Sequence, residues 1–349
     1  MMKPRRMSGS APRAANGAGS RPVVLVPYAL GVGIAAWLAG GVVPLLGPAV
    51  MALLLGTTVR TLGLLPAGLD RSAGSAGARL LQLSIVALGL SVNIAEVTTV
   101  ARGSLPVMLG TLAVGLFGIW LLGRALDVGP TVRGLLAVGT SVCGASAIAA
   151  VAPVLGADAL EISYAVSVIF LFNITAVMVF PAVGHLLGFS TATFAVWAGT
   201  AVNDTSSVLA AGFAFGAGAA TYAAVVKLSR TVMILPITVG MALLVGGEPG
   251  NGWRDRARVA LRRALPWFIV AFLAAAVANS AGLVPTSGAH AAADAARLGT
   301  ILALAAIGLS TDVRAVRRAG HRPLLLGFFG WLLVATTSLA LQALLGGTL

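Results

Sequence analysis

Apolar runs of about 16 to 28 residues recur from residue 23 to residue 345, separated by short segments that hold Gly, Pro and charge. None alternates with a period of two, which excludes a membrane β-barrel. Helices are then the structure left that satisfies its own backbone in lipid. The runs predict spans at 23–40, 42–59, 80–95, 104–123, 134–155, 160–183, 192–215, 219–246, 265–283, 298–312 and 323–345. The expected fold is all-α, a polytopic membrane protein of about eleven transmembrane helices, with 23–349 as one integral membrane domain.

Composition agrees: 58% of residues are hydrophobic and 9% charged, against roughly 25% charged in soluble domains. The mean hydropathy is +0.98. A net charge of +13 raises nucleic acid as a partner, but the placement of the charges gives a plainer cause. With the N-terminus inside, nineteen of the 23 Lys and Arg are cytoplasmic. Five lie in the tail, three over 60–79, two at 124 and 133, five over 254–263 and four over 314–322. Arg102 and Arg297 fall outside, and Lys227 and Arg230 inside a span. The positive-inside rule thus predicts a bacterial inner (plasma) membrane protein, N-terminus cytoplasmic and C-terminus periplasmic. Residues 1–22 read as a disordered basic cytoplasmic tail. The rival, a signal peptide, lacks a convincing cleavage site. Loop 250–263 also suits anionic headgroups of the bilayer.

Two internal similarities stand out. Leu88-Gly-Leu-Ser-Val-Asn93 matches Ile307-Gly-Leu-Ser-Thr-Asp312, with Pro106 and Gly110 falling on Pro323 and Gly327 after a two-residue gap. The spans concerned cross in opposite senses, as in the inverted repeats of secondary transporters. Gly139-Thr-Ser-Val142 matches Gly199-Thr-Ala-Val202, extending to Phe180-Pro181 against Leu235-Pro236. With eleven spans these two run in the same sense, so one repeat scheme does not cover both pairs. Chance likeness of Gly- and Ala-rich helices is the alternative.

The chemistry-bearing positions lie in the same two segments and the span that follows. Thr140, Ser141, Gly144 and Ser146 crowd small and hydroxyl residues into 139–146, a composition that breaks helices and exposes a half-helix N-terminus to an anion. Close helix packing through small residues is the alternative. Asn203, Asp204, Thr205 and Ser206 form a polar run around a carboxylate that costs at least roughly 2.5–3.5 kcal/mol in mid-bilayer. A structural hydrogen-bond network or an Asp–cation pair would also explain it. Lys227 and Arg230 share one helical face and leave one cation more than Asp204 neutralises, which favours an anionic ligand held by both; cations satisfied by Asp204 and backbone carbonyls are the alternative. Asn93, Glu96 and Asn173 are weaker candidates. His185, His290 and His321 lack metal-ligand spacing, and the lone Cys143 forms no internal disulfide. No nucleotide loop, triad or metal motif occurs, so neither an enzyme nor a cofactor nor nucleic acid is expected.

The runs Gly139–Ala150 with Ala152-Pro153, Trp197–Val208 and Val226-Lys-Leu-Ser-Arg230 resemble the YeiH-type sulfate exporter family, over roughly residues 25–345. Asn203-Asp204 stands where many members carry His-Glu, which removes the imidazole that a His-based proton relay needs. The resemblance implies discontinuous helices and inverted repeats, similar to the bile-acid-symporter and sodium/proton-antiporter group. Its implied substrate is a small inorganic or organic anion, sulfate or an organosulfonate. The resulting expectation is a secondary transporter with alternating access, coupled to protons or sodium, with homo-oligomerisation left open. A passive anion channel, or an intramembrane enzyme or sensor, is the alternative.

Overall fold

Strong local caps mark where this chain's helices begin. Asp158 and Glu161 form a reciprocal capping box, and Asn93, Ser190 and Asp204 each accept a backbone N–H of the helix they open. The computed structural model describes residues 22–42, 47–66, 68–245, 267–311 and 320–345. The tail up to residue 21, loop 250–263, Asp312 and the last four residues lie outside these. Among the described residues every regular element is helical. The helices are α1 (Pro22–Val42), α2 (Gly47–Thr61), α3 (Leu69–Gly89), α4 (Ile94–Ala125), α5 (Pro130–Ser141), α6 (Ala145–Leu155) and α7 (Ala159–Leu186). They continue as α8 (Thr191–Ala201), α9 (Thr205–Phe215), α10 (Ala217–Thr231), α11 (Ile234–Val245), α12 (Trp267–Ser280), α13 (Thr286–Ser310) and α14 (His321–Leu344). Among the described residues five stretches are long and apolar enough to cross a membrane: Ile94–Ala125, Ala159–Leu186, Gly218–Met241, Thr286–Ser310 and His321–Leu344.

Three helices start well before their predicted spans. α3 begins at Leu69 rather than 80, α4 at Ile94 rather than 104, and α13 at Thr286 rather than 298. The apolar run marks only the length suited to lipid, whereas a cap and helix-tolerant residues carry the helix into water. Asn93 restarts the chain this way, its side chain accepting from Ala95 N at 2.8 Å. Arg102 therefore lies within α4, not in a loop.

The larger correction concerns 134–155 and 192–215. Each is broken and folds back on itself. A Cβ placed on Gly134 would lie 2.9 Å from Leu155 Cδ1, and one on Gly139 would lie 2.9 Å from Ile148 Cγ1. A straight helix would separate residues 134 and 155 by about 30 Å. Thus α5 and α6 form a hairpin with its tip at Val142–Gly144. The rings of Phe194 and Phe215 stack at 3.9 Å with planes 2° apart, so α8 and α9 double back about Val202–Asp204 in the same manner.

Helix directions require the same result. α4 runs antiparallel to α14, since Gly110, Gly118 and Gly123 meet Leu341, Leu333 and Leu326. α14 runs parallel to α7, Gly327 meeting Val168 and Trp331 meeting Phe172. α4 and α7 are therefore antiparallel, and the chain between them must return to the end it left. The α5–α6 hairpin springs from one end of α7 and the α8–α9 hairpin from the other. The two Gly-Thr-x-Val segments consequently point in opposite directions. α3 and α13 are antiparallel too, with Gly77 on Ile307 and Gly299 on Ser84. Both internal similarities thus join oppositely directed elements, and the apparent conflict between them came from counting the hairpins as spans.

The helices pack as two bundles. α1, α2, α3, α12 and α13 form one, in which Gly56 and Gly308 let α2 and α13 approach closely. α4 to α11 and α14 form the other, around both hairpins. An apolar seam joins them, with Leu81, Ile85 and Leu88 of α3 and Phe272 of α12 against Leu209 of α9 and Val225 and Leu228 of α10.

Candidate functional site

The two hairpin tips touch. A Cβ on Gly144 would sit 3.4 Å from Asp204 Cβ, and the φ of +69° at Gly144 is one that favours glycine. At this meeting point two helices end, α5 and α8, and two begin, α6 and α9. Four helix termini without water at hand would leave unsatisfied carbonyls and amides. The sequence supplies a partner for most of them.

Lys227 takes the carbonyl ends. Its Nζ donates to Val142 O at 3.0 Å and to Val202 O at 2.6 Å. These valines are the matched fourth residues of the two Gly-Thr-x-Val segments, so one ammonium holds equivalent atoms of both tips. A cation there also faces the negative ends of two helix dipoles. Asp204 takes one amide end. Its carboxylate accepts from Ser207 N at 2.9 Å, from Ser207 Oγ at 2.7 Å and from Ser206 Oγ. It makes no ion pair with Lys227 or Arg230; among the described residues the ion pair formed is Arg322–Asp127. The expected pairing of Asp204 with a cation is therefore replaced by capping of α9. Asn173, a weak candidate from sequence, accepts from Asn203 N at 3.1 Å and braces the second tip against α7.

What remains is unpartnered. Arg230 is fully buried, and its Nε, Nη1 and Nη2 have no hydrogen-bond partner. Asn203, with both side-chain polar atoms, and Ser141, with its hydroxyl, are buried and unpartnered as well. Gly144 gives the start of α6 no side-chain cap. Lys227 is fixed at the first tip by its bond to Val142 O, and Arg230 stands three residues further along the same face of α10. An uncompensated guanidinium out of water costs several kcal/mol. Arg230 offers a planar cationic fork, Asn203 an amide and the start of α6 backbone N–H groups, chemistry suited to an oxyanion, whereas the Ser141 hydroxyl packs against Gly115 of α4.

Most of the other residues singled out from sequence also lie here. Thr140 is buried on the last turn of α5, while Thr205 and Ser206 are half-buried at the start of α9. Ser146 is exposed one residue into α6, so the tips reach the protein surface there. Thr200, the counterpart of Thr140, shares a 2.7 Å hydrogen bond with Ser338 of α14. Asn93 and Glu96 do not join the site, being exposed at the start of α4. His185 stacks on Phe215 at the base of the second hairpin. Val142 and Val202 were invisible as candidates, because a valine contributes here only through its carbonyl. Their matched positions in the internal similarity were the available signal.

The fold and site define a polytopic helical membrane protein built around two opposed hairpins with a charged crossing. The chain belongs to the family described as Conserved hypothetical protein 698, whose model matches residues 25–327; this is the UPF0324, or YeiH-type, family. A UPF0324 membrane protein of Clostridium tetani is 32% identical over 314 residues, covering 86% of this chain and 90% of that protein. One from Fusobacterium nucleatum is 34% identical over 331 residues, with 89% and 94% covered. Another, from Streptococcus pyogenes, is 37% identical over 323 residues, again with 89% and 94% covered. No solved structure matches.

Proposed function

We propose that this protein is a secondary transporter, not an enzyme, that carries a small oxyanion, sulfate or an organosulfonate, by alternating access at the hairpin tips. The observation that supports it most is the buried Arg230 with three unpartnered donor atoms. Packing alone would select against such a group, and a ligand that visits the site offsets the cost. In this reading Arg230, Asn203 and the amides that begin α6 hold the anion, and Lys227, expected from sequence to share in holding it, instead keeps both tips in register. Asp204 carries the coupling proton or sodium. The chain sits in a bacterial plasma membrane with nine crossings and two re-entrant hairpins, N-terminus inside and C-terminus outside. Removing two spans from the predicted eleven leaves that parity, and the charge argument, unchanged. Export is the direction that the family resemblance implies. Inverted repeats, with one unit permuted so that its hairpin precedes its paired helices, fit the antiparallel matches.

Counterflow in proteoliposomes tests the proposal. Wild-type protein loaded with unlabelled sulfate or taurine should accumulate the labelled anion with saturation. Arg230→Gln should lower the rate at least tenfold, and Arg230→Lys should restore little because the planar fork is lost. Unsaturable flux without counterflow would make the protein a channel. Wild-type counterflow in Arg230→Gln would move the anion site elsewhere.

A further inference from the structure

A second polar site lies away from the hairpin tips. A cavity of about 640 Å³ opens between the two bundles where α9 ends and α10 begins. α13 lines it with His290, Asp294 and Arg297, spaced four and three residues apart and so on one helix face. Thr221 of α10 and Asn279 of α12 also line it. Asp294 and Arg297 are spaced as helix ion pairs are, yet no bridge joins them, the ion pair among the described residues being Asp127–Arg322. Both side chains are exposed where they line the cavity, and neither neutralises the other. A simple anion would suit Arg297 but be repelled by Asp294, and a simple cation the reverse.

We propose that this cavity binds a small zwitterion, its oxyanion on Arg297 and its ammonium on Asp294. Asn279 donates its amide to Val92 O at 3.2 Å, which leaves its side-chain oxygen to accept from the ammonium. Thr221 adds a hydroxyl. Leu88, a residue of the apolar seam, lines the cavity as well. From Thr221 to Lys227 along α10 is about 9 Å. The cavity is thus a vestibule short of the tips; its role in loading them rests on the carrier reading, whereas its occupancy does not. An ethanolamine phospholipid headgroup carries the same pair of charges as a free aminosulfonate.

Calorimetric titration of the purified full-length protein compares taurine with isethionate, which keeps the sulfonate but has a hydroxyl in place of the ammonium. Taurine should bind at least tenfold tighter. Asp294→Asn should erase that preference, Arg297→Gln should weaken both ligands at least tenfold, and Arg230→Gln should leave taurine binding in place. Native mass spectrometry provides the lipid arm. Retention of phosphatidylethanolamine over phosphatidylglycerol, lost in Asp294→Asn, would assign the same site to a headgroup. Equal binding of taurine and isethionate with no such lipid preference would overturn the proposal. So would taurine binding that survives both vestibule substitutions. If that binding instead vanished in Arg230→Gln, the ligand would belong to the tips and the carrier reading would stand alone. Unsaturable flux without counterflow would remove the carrier reading and leave the vestibule, and intact counterflow in Arg230→Gln would move the carried anion's site away from the tips.

Discussion

Lys227 and Arg230 are three residues apart on α10 and both fully buried, yet their surroundings differ. The ammonium holds two carbonyls, whereas the guanidinium holds nothing. Their removal should therefore change stability in opposite directions. Lys227→Met leaves two buried acceptors unsatisfied, at about 1–3 kcal/mol each, and should lower the melting temperature of the ligand-free protein. Arg230→Met removes an uncompensated charge and should raise it. Thermal denaturation of both variants without added anion reads the two signs. A fall for Arg230→Met would mean that the guanidinium has a structural partner. Sequence showed two cations and one acid close together, but not their division of labour, because the partners of Lys227 are backbone atoms of valines. Gly144→Ala belongs to the same scale: a side chain at its positive φ costs about 1–3 kcal/mol.

At the scale of elements, hydropathy found nearly every apolar segment and misjudged two of them. A hairpin of two 11- or 12-residue helices has the same apolar length as one crossing helix. The difference lies in the tip, where Gly144 and the Gly-Thr-x-Val runs break the helix, and in packing such as Phe194 on Phe215. The break at 139–146 was legible from composition; the reversal was not, since it depends on contacts between residues 21 apart. The antiparallel internal match was a clue, because inverted repeats require the two segments to oppose one another. Cysteine labelling separates the alternatives. In a Cys143→Ser background, Ala157→Cys should react only from the side of Arg124, and Phe189→Cys only from the opposite side. A crossing helix over 134–155 would put Ala157→Cys on the side opposite Arg124.

For the whole molecule the expected outcome is insensitive to that correction. Two hairpins replace two spans, the parity of crossings is kept, and the basic segments stay on one side. A reporter fused to the C-terminus should be active as periplasmic alkaline phosphatase and dark as green fluorescent protein. The reverse pattern would mean an even number of crossings. The expectation rests on charge distribution alone, because the rule counts only the sides of loops. The division into two bundles was not legible, since it arises from glycine-mediated approaches such as Gly56 on Gly308 and from one apolar seam.

The bonds of Lys227 also bear on biosynthesis. The first tip is complete in the nascent chain at residue 144, but its staple lies 85 residues beyond Val142. The second hairpin is tied through Thr200 to Ser338, 138 residues later. Neither hairpin has its full set of partners while the ribosome is still near it. Both must wait, loosely lodged or outside the lipid, until α10 and then α14 emerge. The crossing therefore matures among the last parts of the protein, and chains stalled before residue 227 should expose the first hairpin to membrane quality-control proteases that the finished molecule resists.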